Sequence, residues 1–123
     1  MCQHLDDAIA RAINNIHKIG ESINNLKVPC RYKGAFLEMA DYRGFRFTDT
    51  TLKEMETIGK TNSNILFHLL DGKKNGIGVP YILATYLDTD KKRALALGWL
   101  EENKKKRTEK NVLKAVLSVR VDD

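Results

Sequence analysis

LDDAIARAINNIHKIGESINNLK (residues 5–27) decides the fold class. Its apolar residues Leu5, Ile9, Ala12, Ile16, Ile19, Ile23 and Leu26 recur at alternating intervals of four and three. Such spacing lays one apolar stripe along an α-helix. Asp6 and Asp7 suit the positive end of the helix dipole, Lys27 suits the negative end, and Pro29 marks the stop. Read as heptads, the segment puts Ile9, Ile16 and Ile23 at a positions, but the flanking Ala8, Ile13, Asn15, Gly20 and Ser22 carry none of the charges that set coiled-coil pairing. Packing within the domain is the preferred reading, and a homodimer through the Leu5–Leu26 helix stays open.

The same period continues downstream. Tyr32 to Tyr42, with Phe36, Leu37, Met39 and Ala40, reads as a second helix ending near Gly44. Thr51-Leu52-Lys53-Glu54 matches a capping box, predicting a short helix to about Ile58 with Gly59 as its stop. Asn62 or Ser63 caps the next helix, with Ile65, Leu66 and Leu69 as its stripe before Asp71-Gly72. A loop over residues 72–78 leads to a helix opened by Val79-Pro80 and running through Leu87. Asp88 or Thr89 caps a long helix from Lys91 to about Lys106, whose run Ala94–Leu100 is expected to be buried on most faces. Thr108 caps a last helix with Val112, Leu113, Val116 and Leu117 inward. Only residues 45–47 and 119–121 alternate as a very short strand would. The expectation is an all-α single domain over residues 1–123, a compact bundle of five to six helices with a helix-turn-helix-like segment.

Composition agrees. A chain of 123 residues, 42% hydrophobic and 30% charged, with two prolines and eight glycines, suits one globular core. The longest apolar run, Ala94–Leu100, is far shorter than the ~20 residues of a membrane span, and the N-terminus lacks a secretion signal. The expected setting is the cytoplasm, away from membranes, with Cys2 and Cys30 as reduced thiols. The net charge of +5 is uneven: Lys91 to Arg120 holds ten basic residues against Glu101, Glu102 and Glu109. Such a field favours polyanions or acidic protein surfaces.

Two short helices around Gly59, followed by a basic glycine-containing loop, resemble the helix-turn-helix of DNA-binding regulators over Thr51–Gly78. That resemblance implies that the second helix enters the major groove, presenting Asn62, Ser63, Asn64 and His68 with Lys60 and Thr61 at its start, while Lys73 and Lys74 hold phosphates. An ordinary helical hairpin explains the same residues. Phe45-Arg46-Phe47 with the two following helices is also similar, more distantly, to a ribbon-helix-helix dimer. Gly76-Ile77-Gly78 resembles the turn of a helix-hairpin-helix, which implies a phosphate on the amides of the following helix start. A tight loop is the plainer reading.

The densest positive patch is Lys104-Lys105-Lys106-Arg107, joined by Lys91, Lys92, Arg93 and Lys110. It reads either as a solvated helix end or as a surface that neutralises phosphates. Trp99 and Tyr86 are expected in the core rather than as base-stacking platforms. Cys2, His4, His17 and Cys30 lack the spacing of a zinc site, and no nucleophile, base and orienting acid come together. The sequence therefore predicts a non-enzymatic nucleic-acid-binding protein without a cofactor. It is either a small helix-turn-helix-like DNA-binding regulator or a basic helical subunit contacting a phosphate backbone in a larger complex. The alternative is a protein-interaction module, an inhibitor or immunity-type factor, docking on an acidic protein surface.

Overall fold

A computed structural model describes residues 20–43, 48–71 and 77–121. All regular structure among them is helical, in seven segments against the five to six expected: α1 (residues 20–24), α2 (Cys30–Arg43), α3 (Asp49–Thr61), α4 (Asn64–Asp71), α5 (Gly78–Tyr86), α6 (Asp90–Glu102) and α7 (Glu109–Val121). The chain falls into two compact units, Met1–Asn62 and Ser63–Asp123. Residues 5–19 of the first predicted helix, the candidate strand at 45–47, and Lys73 and Lys74 lie outside the described residues. The other candidate strand, 119–121, is the last turn of α7.

In the first unit, Ile23, Leu26, Tyr32, Phe36, Leu37, Met39, Met55 and Ile58 are buried. Tyr32, Phe36 and Met39 recur at four and three along α2, and Thr51, Met55 and Ile58 do so along α3, so each helix turns one face inward. Pro29 does not merely end α1. Its carbonyl accepts from the amides of Tyr32 and Lys33, at 3.0 and 3.4 Å, and so starts α2. Lys33 Nζ donates to the carbonyl of Asn24 at 2.9 Å, capping the end of α1.

Two boundaries of α3 differ from expectation. Its cap is Thr48, whose Oγ1 accepts from the amide of Thr51 at 3.3 Å, so the helix begins before the predicted capping box. Gly59 is a buried interior residue and not the stop. A Cβ built there would fall on Cβ and Cγ1 of Val28, so glycine lets Val28 pack onto the helix. The helix ends at Asn62, in the left-handed region with φ 50° and ψ 45°, a conformation asparagine tolerates better than most residues. Arg31 reinforces the cap, donating from Nη2 to Oδ1 of Asn62 at 2.8 Å while its guanidinium lies 5.2 Å from the Tyr32 ring centre.

The second unit packs α7 against both α5 and α6, with α4 against α5 and α6. Its interior is Leu66, Leu69, Leu70, Ile77, Val79, Ile82, Leu83, Leu87, Ala96, Leu100, Val112, Ala115, Val116 and Val119. Ser63 caps α4, and Thr89 and Thr108 cap α6 and α7, each hydroxyl accepting an amide three residues on.

The predicted apolar faces need correction here. Within Ala94–Leu100 only Ala96 and Leu100 are buried, and Leu95 is 56% exposed. On α7 the inward set is Val112, Ala115, Val116 and Val119, leaving Leu113 41% and Leu117 60% exposed. Tyr86, expected in the core, is 47% exposed, and Trp99 is half-buried. A helix turns only one arc of its circumference toward its neighbours, so an unbroken apolar run cannot all be covered by helices packed on one side. Cys30 is disulfide-bonded, not a reduced thiol. The other cysteine in the sequence, Cys2, lies outside the described residues. Whether a cysteine finds a partner is a tertiary property that spacing in the sequence does not reveal. Among the described residues no helix is long and apolar enough to cross a membrane.

Candidate nucleic-acid interface

The cationic run Lys104–Arg107 was expected on a helix reaching Lys106. The structure ends α6 at Glu102 and puts the run in the connection to α7. The reason lies in the local backbone. Lys104 is left-handed, φ 51°, and its amide donates to the carbonyl of Glu101 at 3.1 Å while that of Lys105 donates to Leu100 at 2.9 Å. This pair of bonds is a Schellman termination, with lysine in the place usually taken by glycine.

The connection is tied down from its far side too. The Lys106 carbonyl accepts from the Thr108 amide and from Nδ2 of Asn111, both at 2.9 Å, and Asn103 Nδ2 donates to Trp99 at 2.8 Å. Lys104, Lys105, Lys106, Arg107 and Lys110 are all exposed, and none has an ion pair among the described residues. Lys114, one turn beyond Lys110, extends the patch. Its i+4 spacing was the signal that could have added it to the predicted set. The acids nearest along the chain are Glu101 and Glu102, exposed in the last turn of α6, and Glu109. The Glu109 side chain packs over Gly78, where a Cβ would collide with its carboxylate. It therefore lies at the start of α5, which has no side-chain cap, so the helix start expected to hold a phosphate already has a carboxylate of the same chain beside it.

The other predicted positions are distributed differently. Lys60 and Thr61 belong to the end of α3, not the start of the next helix. Lys60 pairs with Glu56 at 3.8 Å, and Thr61 Oγ1 donates to Thr57 at 2.8 Å. Asn62 is the cap bonded to Arg31, and Ser63 is 4% exposed. Asn64 and His68 are exposed on α4, His68 beside the ring of Phe67. The segment resembling a helix-turn-helix is divided, with α3 closing the first unit and α4 opening the second. Lys91 is exposed, while Lys92 Nζ lies 3.3 Å from Asp88.

Arg93 has a different task from the one expected. Its side chain is 5% exposed. Nε donates to Leu83 at 3.1 Å and Nη2 to Leu87 at 2.6 Å, while Nη1 meets Oδ1 of Asp90 at 2.8 Å. The two carbonyls are at the end of α5, so the guanidinium satisfies groups that the helix itself leaves open. Asp90 also accepts from the hydroxyl of Ser63. That bond first, then Arg93, holds the Asp90 carboxyl below its ordinary range, against an opposing effect of partial burial. Sequence inspection missed this network because it joins α4, α5 and α6 through residues far apart in the chain.

Among the described residues no cluster of histidine, cysteine or acidic side chains is arranged to hold a metal. No protein-family model matches the chain, and no curated protein and no solved structure is similar to it.

Proposed function

We propose that this protein is a non-enzymatic nucleic-acid-binding subunit whose contact surface is the α6–α7 connection and the first turns of α7. The observation that carries the reading is the display of Lys104, Lys105, Lys106, Arg107 and Lys110 from a hydrogen-bonded turn, all exposed and none in an ion pair among the described residues. A backbone held in place lowers the entropy lost when these cations meet phosphates. Of the two forms expected from sequence, backbone-following contact within a larger complex has more support than base reading, because Lys60, Thr61, Asn62 and Ser63 are engaged by the fold.

Fluorescence anisotropy with duplex DNA, single-stranded DNA and RNA over a salt series tests this. Engaging all five cations gives a slope of log affinity on log salt near −4.5 for duplex DNA, about 0.9 per phosphate. Replacing Lys104, Lys105, Lys106 and Arg107 by glutamine should remove most of that slope. Absence of binding to all three at low salt, or an unchanged slope in the variant, refutes the proposal.

A second reading, docking on an acidic protein surface, is favoured by one observation. Leu117 lies at the centre of the outward arc of α7, with Lys110 and Lys114 beside it and Leu113 on its flank. Contact with a phosphate backbone, which rests on cations, makes no use of these two exposed leucines. Stoichiometric co-purification of one protein, resistant to nuclease and lost in Leu117→Asp, would support this reading over the first.

A further inference from the structure

Where α5 ends, α6 begins and α7 nears its last residues, the second unit holds a cleft of about 410 Å³ lined by Tyr86, Asp88, Lys92, Arg93 and Arg120, among others. Three cations and one carboxylate share it. The volume is within the range of small-molecule sites.

A guanidinium has five N–H donors. Arg93 places three on Leu83, Leu87 and Asp90, and the other two meet no acceptor among the described residues, although the side chain is 5% exposed. Buried donors are normally satisfied, so this group is suited to an anion entering the cleft. Arg120 stands exposed at its edge and is in no ion pair among the described residues. Lys92 is held near by Asp88 at 3.3 Å. Tyr86, 47% exposed, adds an aromatic ring to the same wall.

We propose that this cleft binds a phosphate monoester carrying a nucleobase, with Arg93 and Arg120 on the phosphate and Tyr86 against the base. A phosphate presents three acceptor oxygens that match forked guanidinium donors, and stacking on an aromatic ring tolerates any base. Asp88 opposes the incoming charge. The site is distinct from the α6–α7 connection, since Lys110 and Arg120 are ten residues apart on one helix, about 15 Å along its axis. The source of the group is a free mononucleotide or the 5′ end of an oligonucleotide.

Calorimetric titration of the full chain with adenosine 5′-monophosphate, adenosine, inorganic phosphate, and one short oligonucleotide with and without a 5′-phosphate separates these. The monophosphate is expected to bind and adenosine not. With residues 104–107 changed to glutamine, so that the connection no longer holds the strand, an oligonucleotide that requires its 5′-phosphate and binds more tightly than the mononucleotide identifies a strand end as the source, and the reverse order identifies a free nucleotide. Arg120→Ala should weaken binding about tenfold and Arg120→Lys less. Tyr86→Ala should affect the monophosphate but not inorganic phosphate, and Asp88→Asn should tighten both. The glutamine variant of residues 104–107 should leave monophosphate binding unchanged, so loss of the loop's activity and loss of this site are distinguishable. Equal binding of adenosine and its monophosphate, no saturable binding of the monophosphate, or indifference to Arg120→Ala overturns the proposal.

Discussion

Replacing Arg93 by methionine removes a buried charge while keeping most of the side chain's length, and the structure says what that costs. Three donors disappear. Two of their acceptors are the carbonyls of Leu83 and Leu87 at the end of α5, and both residues are almost fully buried, at 0% and 2% exposure. A buried carbonyl left without a donor costs about 1–3 kcal/mol. Asp90 keeps its bond to Ser63 and is 46% exposed on its side chain, so it reaches water and adds little. Two orphaned carbonyls then give a loss of about 2–6 kcal/mol, overlapping the ~3–5 kcal/mol found on removing one partner of a buried pair. A domain near sixty residues is stable by only about 3–9 kcal/mol, so the second unit should lose a large share of its stability. Trp99 is the sole tryptophan and sits on α6, which makes its fluorescence a reporter of this unit in urea unfolding. Arg93→Lys should fall between the two proteins, because one ammonium cannot reach acceptors that a planar fork spans. A loss below about 1 kcal/mol in Arg93→Met, or full stability in Arg93→Lys, would refute the view that the guanidinium closes the end of α5.

Gly59→Ala should destabilise the first unit by about 1–3 kcal/mol despite the better helix propensity of alanine, because the new methyl meets the body of Val28, and Val28→Ala should restore much of the loss. Circular-dichroism melts of the single and double variants check this, and a neutral Gly59→Ala would contradict the packing described. Lys104→Gly relieves a left-handed lysine and should raise thermal stability by up to about 1 kcal/mol while weakening nucleic-acid binding, the two effects read separately by melting and anisotropy. For pH, the folded Asp90 carboxyl lies below its unfolded value, so its contribution is fully present above that unfolded value and is lost as pH falls through the folded one. Acid unfolding followed at Trp99 should be shallower in Asp90→Asn than in the wild type, and superimposable curves would remove Asp90 from the account.

Much of this protein is legible from local pattern. Apolar residues at helical spacing mark the helices, and short polar residues mark the starts at Ser63, Thr89 and Thr108, because helix formation and capping depend on neighbours a few residues apart. The exposed display of Lys104–Lys110 follows from the sequence as well, since a cluster of like charges has no reason to be buried. What the order of residues did not determine is which side of each helix is covered. Leu113, Leu117 and Tyr86 look like core residues in the sequence and face water, while Arg93 looks like a surface cation and is buried against the end of α5. Gly59 reads as a helix stop until Val28 is seen against it. These outcomes depend on which helices become neighbours, and a side chain's environment is set by residues distant in the chain. Tertiary packing alone decided that Arg93 and Arg120 would line one cleft and that Glu109 would lie over the start of α5.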